Sequence, residues 1–282
     1  MSSVLVLGSN GMLGRSLVKH CALHGLEVGA LSRNYGENSE GIKAYAVDVL
    51  DYKCLEPVIA QYDVIINCIG QVTNPIHECI ALNTEGIENI VRAVSINKKY
   101  LIHLSTVSVY GSLLLASEES LVNPDSVYGS LKYFAEYQIS RELSNYTILR
   151  ISNLYGPEQK KGILGYVLRN FYENKKDLYF NNDGSLKRYY IHIHDLSLMI
   201  LLIAEDKIKG TFNIVSKDFL TVKQLIKLCE KELSFSFDVE YQNRKPIDNI
   251  GRIDESKFKS KINYTSKHDL KTYLKSVKNL TL

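Results

Sequence analysis

The chain has 282 residues, 45% of them hydrophobic and 23% charged, which is typical of a soluble globular protein and excludes a disordered, collagen-like or disulfide-stapled chain. The net charge of +3 is too small to indicate nucleic-acid binding, and the longest apolar stretch, at 196–204, is far shorter than the roughly 18 residues that a membrane span needs. The five cysteines form no CxxC pair, which favours free thiols in a reducing compartment and predicts a cytoplasmic protein.

The first half of the chain alternates apolar strands with amphipathic helices. Strands are predicted at 4–7, 27–31, 45–47, 64–68, 100–104 and 147–151, and helices after the glycine-rich turn at 8–14, around 53–61, from about 76 to 97 and from about 128 to 143. Strands that alternate with helices indicate right-handed crossovers between parallel strands. The pattern therefore predicts an α/β fold with a doubly wound parallel (Rossmann) sheet.

The pattern becomes less regular after residue 151. Short apolar pieces at 178–180, 189–193 and 211–215 alternate with helical stretches at 196–205 and 222–233. We expect residues 1–155 to form the core of the parallel-sheet domain. Residues 156–282 are expected to form mainly a smaller mixed α/β substrate lobe, with some segments returning to the sheet. Its last part, 244–282, contains ten Lys/Arg and four Asp/Glu, which suits either an anionic ligand or a solvated surface.

A glycine-rich turn joins the first strand to the first helix with the spacing G-x-x-G-x-x-G. Glycines allow a tight turn and a close approach of the backbone to a pyrophosphate, and the following helix N-terminus offers free N–H groups. The turn therefore predicts a dinucleotide site. Its expected cofactor contacts are Gly8, Asn10, Gly11, Met12, Leu13 and Gly14.

The end of the second strand bears on the choice of dinucleotide. A carboxylate about 20 residues beyond the turn would bind the ribose hydroxyls of NAD, whereas a cation accommodates the 2′-phosphate of NADP. Ser32 and Arg33 stand there, without an Asp or Glu. Because a guanidinium pairs with phosphate through a planar fork of donors, we expect NADP (NADPH). The alternatives are NAD and an arginine that is merely solvent-exposed.

Hydroxyl side chains follow the predicted strand at 100–104, and a tyrosine and a lysine begin a later helix. Tyr128 and Lys132 are four residues apart and share one helix face. A nearby ammonium is expected to lower the phenol pKa, so that the tyrosine can exchange a proton with a substrate oxygen. The spacing alone is weak evidence, since Tyr172–Lys176 and Tyr241–Lys245 share it. Only Tyr128 lies downstream of a hydroxyl-bearing strand end.

Together these motifs resemble the extended short-chain dehydrogenases/reductases, and more narrowly the nucleotide-sugar epimerases, dehydratases and reductases. The resemblance rests on the glycine turn, on Ser105-Thr106-x-x-Val109-Tyr110-Gly111, on Tyr128-x-x-x-Lys132 and on Leu149-Arg150-Ile151-Ser152-Asn153-Leu154-Tyr155-Gly156-Pro157. It continues through Asn83-x-x-Gly86-x-x-Asn89, Asn182-Asp183-Gly184-Ser185-x-x-Arg188 and Asp254-x-Ser256-Lys257. It departs from the family where Asn182 replaces the first glycine of Gly-Asp-Gly and Tyr189 replaces an acidic residue.

The resemblance implies a catalytic set of three residues. Thr106 would hydrogen-bond the reacting sugar oxygen, Tyr128 would be the acid/base, and Lys132 would contact the nicotinamide ribose. Further cofactor contacts are implied at Asp48 and Val49, which would hold adenine, and at Cys68, Ile69, Gly70, Asn83 and Ser105. The implied substrate contacts are Thr106 and Tyr128 on the sugar, with Asn153, Arg188, Arg244 and Lys245 on the diphosphate.

The leading hypothesis is NADPH-dependent reduction of a 4-keto group on a nucleoside-diphosphate sugar. An NAD-dependent 4-epimerase and a non-catalytic NADP-sensing protein are the alternatives. The sequence names neither the nucleotide nor the sugar. Because the resembled family often dimerises through two helices, the resemblance implies a homodimer through those at about 76–97 and 128–143. No metal site is expected, including at His192 and His194.

Overall fold

The structure is a computed structural model that describes residues 3–34, 42–70, 74–157, 159–244 and 249–280. Its strands are β1 (Val4–Leu7), β2 (Val28–Ser32), β3 (Ile42–Ala46), β4 (Val64–Asn67), β5 (Tyr100–Thr106), β6 (Leu115–Ala116), β7 (Tyr146–Ile151), β8 (Asn153–Tyr155), β9 (Asp177–Phe180), β10 (Lys187–His192), β11 (Gly210–Ile214), β12 (Asp218–Thr221), β13 (Asp238–Tyr241) and β14 (Arg252–Ile253). Its helices are α1 (Met12–Leu23), α2 (Tyr52–Ile59), α3 (Ile76–Asn83), α4 (Glu85–Ile96), α5 (Val127–Glu142), α6 (Gly162–Tyr172), α7 (Ile193–Asp206), α8 (Val222–Leu233), α9 (Ser256–Lys261) and α10 (Leu270–Asn279). Within these ranges no helix combines the length and the apolar composition that crossing a bilayer requires.

Seven parallel strands form the main sheet in the order β3-β2-β1-β4-β5-β7-β11. This confirms the predicted α/β fold with a doubly wound parallel sheet. The chain order reverses between β1 and β4, so the connections from these two strands leave on opposite faces. The carboxyl ends of β1 and β4 therefore border a crevice, which is where this class of sheet binds its ligands.

The apolar residues of β1 show why the sheet needs helices on both faces. All four are buried. Val4 and Val6 belong to the core beneath α1 and α7, whereas Leu5 and Leu7 belong to the core beneath α2, α4 and α5. A strand buried on both faces has no polar side to alternate with, so it reads as a continuous apolar run.

The second half of the chain contributes to both layers of the molecule. β11 pairs with β7 in the main sheet, and α7 packs against α1. A separate apolar core lies among α6, α8, α10 and β10, and β8, β10 and β12 form a small sheet beside it. The chain thus returns to the main sheet after residue 156 through β11, while the division into domains at 155/156 stays a prediction.

The single long helix predicted at about 76–97 is wrong, because the chain breaks at Thr84. Thr84 has φ −114° and ψ −85° and separates α3 from α4. Its hydroxyl donates to the carbonyl of Ile80 at 2.8 Å, and the Asn83 amide donates to the carbonyl of Cys79 at 2.8 Å. Side chains thus satisfy carbonyls at the end of α3, which allows the helix to stop there.

The packing of α1 on the sheet predicts a large cost for truncating its buried face. Leu17 is fully buried in the core beneath α1, whereas Leu23 on the same helix is 72% exposed. Leu17→Ala should lower the free energy of unfolding by about 2–5 kcal/mol, because it removes buried methyl groups and leaves a cavity. Urea denaturation would measure this, with Leu23→Ala as the matched control. Equal effects of the two substitutions would contradict the packing described.

Candidate active site

The glycine turn lies at the carboxyl end of β1, beside the crevice. Gly8 has φ +79°, and a Cβ on Gly14 would stand 2.2 Å from the Gly8 carbonyl oxygen. Both glycines are therefore required by the turn itself. Gly11 differs, because its φ of −72° suits any residue and an added Cβ would come no closer than 3.3 Å to a neighbour. Gly11 begins α1 without a side-chain cap, which leaves backbone N–H groups available for an anion.

Arg33 follows β2 next to this turn. Asn10 donates from its amide to the carbonyl of Asn34 at 3.1 Å, which ties the turn to the end of β2. The Ser32 hydroxyl also donates to the Asn34 carbonyl. The Arg33 side chain is 58% exposed and lies 3.6 Å from Glu78 of α3. A pair this exposed is weak, so the guanidinium can exchange Glu78 for a phosphate.

The segments after β3 and β4 complete the floor of the crevice. The Asp48 carboxylate accepts a hydrogen bond from the Leu50 N–H at 3.0 Å, and Val49 is buried. Gly70 has φ +102°, and an added Cβ there would lie 2.5 Å from the Asn83 amide oxygen. Cys68 and Ile69, just before it, are partly exposed. These predicted cofactor positions therefore follow the carboxyl ends of β3 and β4, at the same edge of the parallel sheet as the glycine turn.

Lys132 is a buried cation at the centre of the site, only 2% exposed. Its ammonium donates to the carbonyl oxygens of Ile69 at 3.0 Å and Leu104 at 2.8 Å. It therefore joins α5 to the chain after β4 and to β5. Burial lowers the pKa of Lys132 to about 8, while nearby groups such as Cys68 and Glu136 act in the opposite direction.

Tyr128 is brought to the same site by a close approach of α5 to the turn that follows β5. An added Cβ on Gly129 would lie 2.7 Å from the Ser108 carbonyl oxygen, so only glycine allows the helix to come this near. The lowering of the Tyr128 pKa that we expected from Lys132 is not what the structure shows. Burial raises that pKa above its usual value, and Cys79 adds to the increase. Tyr128 is therefore a neutral phenol at neutral pH.

Thr106 and Ser105 end β5 with different roles. The Thr106 hydroxyl accepts a hydrogen bond from the Ser108 N–H at 3.1 Å and starts a 3-10 turn. The Ser105 hydroxyl, expected to contact the cofactor, donates instead to the carboxylate of Glu136 inside the protein. Ser105 is 2% exposed. Its side chain is therefore engaged in the core.

A buried ion pair behind the site has no counterpart in the residues predicted from sequence. Arg150 donates to Glu136 from Nη2 at 2.7 Å and from Nε to both carboxylate oxygens at 3.1 Å. The two residues are 6% and 3% exposed. Glu136 lies one helical turn after Lys132, and Arg150 belongs to a motif quoted for the family resemblance. These positions and the opposite charges of the two residues are the features of the sequence that could have indicated the ion pair.

The proposed diphosphate contacts lie on the small lobe. Asn153 of β8 is exposed, and its amide donates to the Tyr189 carbonyl at 3.4 Å. Arg188 of β10 is partly exposed and donates to the Lys187 carbonyl at 2.9 Å. The carbonyl of Arg244 accepts from the Asp183 N–H at 3.1 Å, which places Arg244 beside the turn before β10. Lys245 lies outside the described residues.

Tyr189 replaces the family's acidic residue and turns toward the apolar cluster formed in part by Val109 and Ile253. Its ring stacks on Phe219 with centroids 4.2 Å apart, and its hydroxyl accepts from the Ile253 N–H at 3.2 Å. An aromatic side chain thus joins β10 to β12 and β14 at this position. Tyr189 therefore makes apolar contacts at a position where the resemblance implies an acidic residue.

His192 and His194 lie at the junction of β10 and α7 with ring centroids 5.1 Å apart. His192 accepts a hydrogen bond from the His194 N–H at 3.3 Å and so begins the helix. Within the part of the chain that the structure describes, no three His, Cys, Asp or Glu side chains are grouped so that they could hold a metal ion. The His192 side chain has a capping role instead.

Comparisons with known proteins bear on the family and the fold of the chain. The sequence profile described as "NAD dependent epimerase/dehydratase family" matches residues 4–215. UDP-N-acetyl-alpha-D-glucosaminuronate decarboxylase of Bacillus cytotoxicus is 24% identical over 250 residues, which are 78% of this chain and 77% of that protein. UDP-glucuronic acid 4-epimerase of Bacillus cereus, solved with UDP-glucuronic acid and NAD, has a TM-score of 0.88 at 21% identity, covering 99% of this chain and 98% of that one. UDP-glucose 4-epimerase of Thermotoga maritima, solved with UDP-glucose, has a TM-score of 0.87 at 23% identity, covering 98% and 97%.

The two glycines of the turn should respond differently to substitution. Gly14→Ala should lower the free energy of unfolding by about 1–3 kcal/mol, because its Cβ overlaps the Gly8 carbonyl. Gly11→Ala should cost under about 1 kcal/mol but weaken NADPH binding about tenfold or more, since its Cβ would enter the space left for phosphates. Denaturant titration and coenzyme fluorescence would measure the two effects. Unchanged NADPH affinity in Gly11→Ala would contradict this location for the cofactor.

Proposed function

Because the chain belongs to the NAD dependent epimerase/dehydratase family, whose members are extended short-chain dehydrogenase/reductase enzymes, we propose that it is an NADPH-dependent reductase of a 4-keto group on a nucleoside-diphosphate sugar. The choice of NADPH is carried by Arg33, a cation at the end of β2 beside the glycine turn. The side chain is largely exposed, and its ion-pair partner among the described residues is Glu78 at 3.6 Å. In the sequence, positions 32 and 33 are Ser and Arg where an NAD-binding chain would place a carboxylate for the ribose hydroxyls.

The residues of the glycine turn fit a dinucleotide, since Gly11 leaves space that the fold does not use. The phosphates would lie at the N-terminus of α1, with Ser32 and Arg33 at the 2′-phosphate. Asp48 and Val49 would border the adenine, and Lys132 would hold the nicotinamide ribose. When bound, NADPH supplies the hydride that reduces the keto carbon.

Tyr128 would protonate the sugar oxygen as the keto group is reduced, and Thr106 would hold that oxygen. Burial raises the pKa of Tyr128, so the phenol carries its proton at neutral pH and can donate it. Lys132 is a fixed cation on the same helix face, where it would hold the nicotinamide ribose. The phenol then regains a proton from solvent. A neutral tyrosine with a neighbouring ammonium suits reduction.

The small lobe would bind the nucleoside diphosphate. Asn153, Arg188 and Arg244 would hold the phosphate oxygens through charge-assisted hydrogen bonds, with Lys245 proposed beside them from the sequence. The carbonyl of Arg244 accepts from the N–H of Asp183, in the turn that precedes the strand of Arg188. A charged, polar substrate of this kind matches the basic balance of the C-terminal segment.

An NAD-dependent 4-epimerase is the second candidate, because the solved neighbours reported above are 4-epimerases and one of them contains NAD. Epimerisation uses the same Tyr128, Lys132 and Thr106 but returns the hydride to the carbon that lost it.

Two copies are proposed to pair through α4 and α5, since Tyr133, Phe134 and Tyr137 are 40–50% exposed on α5. The five free thiols support a reducing, cytoplasmic location.

Cofactor choice can be tested at Arg33. Arg33→Ala should weaken NADPH binding by about 1.5–3 kcal/mol, the range for hydrogen bonds to a charged group, and should leave NADH affinity nearly unchanged. Titration calorimetry with each coenzyme would measure both. Arg169→Ala, on the exposed face of α6 in the small lobe, is the matched control. Equal losses for the two coenzymes, or tighter binding of NADH by the unmodified protein, would overturn the choice of NADPH.

The reaction can be tested at Tyr128. Tyr128→Phe removes the proton donor but keeps the ring, so NADPH should still bind while turnover of a 4-keto nucleotide sugar falls at least about 100-fold. The absorbance of reduced nicotinamide during turnover would measure this, with one NADPH consumed for each sugar reduced. Tyr133→Phe, on the exposed face of the same helix, is the control. Sugar interconversion without loss of NADPH, from protein purified with NAD bound, would favour the epimerase.

A further inference from the structure

The Glu136–Arg150 ion pair continues on both sides into contacts with other parts of the molecule. On one side the hydroxyl of Ser105, the residue directly before Thr106, donates to Glu136. On the other, Arg150 Nη1 donates to the Tyr110 hydroxyl at 2.8 Å. Glu136 is thus held from three directions, by its own helix, by β5 and by β7.

Tyr110 passes the connection to the second half of the chain. Its hydroxyl donates to the Asn213 amide oxygen at 2.7 Å, and the Asn213 amide donates to the Asp254 carbonyl at 2.9 Å. The Asn213 N–H donates to Glu118 at 2.7 Å. A continuous set of hydrogen bonds therefore runs from the end of β5 to the segment that follows β14.

Stability alone does not account for this arrangement. Removing two charges from water costs several kcal/mol for each ion, and a buried ion pair is often no more stabilising than apolar residues of the same size. What the pair provides is geometry: a bidentate contact allows few relative placements of α5 and β7. The constrained helix is the one that bears Tyr128 and Lys132, and Ser105 links the same carboxylate to the strand of Thr106.

Glu136 also stabilises the charged form of Lys132, whose buried ammonium belongs to a residue one helical turn earlier on α5. The titratable groups around Lys132 are Glu136 on α5, Cys68 after β4, Cys79 on α3 and His103 on β5. Burial raises the thiol pKa values and lowers that of His103 well below its usual range, so these three are uncharged at neutral pH. Glu136 therefore carries the formal negative charge among these groups, and it acts on the Lys132 ammonium while it is also paired with Arg150.

We propose that Glu136 and Arg150 are positioning residues for the reaction, which hold Tyr128 and Lys132 in register with Thr106, and that Glu136 supplies the negative charge that keeps Lys132 an ammonium. The inference rests on the proposed function for its kinetic consequence. Its electrostatic consequence concerns the protein alone. Neither residue touches the substrate, so both act through the catalytic set.

The experiment compares Glu136→Gln with the unmodified protein across pH. Burial lowers the Lys132 pKa to about 8, and Glu136 opposes this, so activity that needs the ammonium is lost as pH rises through about 8. In Glu136→Gln the alkaline limb of kcat should move to lower pH by about one unit. At the optimum, kcat should fall about 10- to 100-fold, with KM for NADPH changed less than about twofold.

The lysine can be followed directly by NMR of protein with 13C-labelled lysine, without any substrate. One resonance should titrate near pH 8 and be missing from Lys132→Met, and in Glu136→Gln it should titrate at lower pH. Glu142→Gln, on the exposed end of the same helix, is the matched control and should shift neither the resonance nor the pH profile. Glu136→Gln/Arg150→Met removes both buried charges, so it should fold even where the single variant does not, and its lysine should titrate between the single variant and the unmodified protein, because the Arg150 cation is lost with the Glu136 anion.

The outcomes separate the inference from the proposed function. An unmoved lysine resonance and an unmoved alkaline limb in a folded variant would overturn the inference, even if the unmodified protein reduces 4-keto sugars. A shifted resonance in a protein that turns over no such sugar would support the charge role and overturn the proposed function instead. Loss of stability with an unchanged pH profile would show that the pair is only structural.

Discussion

The bidentate contact between Glu136 and Arg150 is the constraint on which the proposed catalytic geometry depends. It joins the middle of α5 to β7 in a region almost closed to water, and the Ser105 hydroxyl adds β5 to the same carboxylate. Because an unpaired charge at this depth would cost several kcal/mol, the three elements are held together. The end of β5 is consequently anchored to the core behind it.

The electrostatics in front of that pair have a consistent direction. Lys132 is buried, yet two backbone carbonyls accept its hydrogen bonds and Glu136 balances its charge. Tyr128 is partly exposed, and desolvation keeps its phenol protonated. With Lys132 one helical turn further along α5, a neutral acid and a fixed cation share one helix face, which is the arrangement proposed for proton donation. The same arrangement would serve less well for a base that must begin deprotonated.

The glycine turn separates what the fold requires from what a ligand requires. Gly8 and Gly14 are necessary because of a positive φ and a close backbone contact. Neither a positive φ nor a close backbone contact requires glycine at position 11. Gly11 begins the helix whose N–H groups lie beside the crevice. A small residue that no protein contact requires is best explained by something outside the chain that must come close. This reasoning supports a phosphate at the turn independently of the spacing of the glycines.

The sequence by itself determined the α/β class, the positions of most of the main-sheet strands, the glycine turn, and the Tyr128–Lys132 pair on one helix face, because each of these depends on neighbours along the chain. Tertiary structure alone decided the break of the helix at Thr84, the inward direction of Ser105 and the sign of the Tyr128 pKa shift. The Glu136–Arg150 contact joins residues on different elements, and the chain from Tyr110 to Asn213 spans more than 100 positions. Burial and pairing across such distances leave no periodic trace in a sequence, since they arise only when the sheet brings its strand ends together.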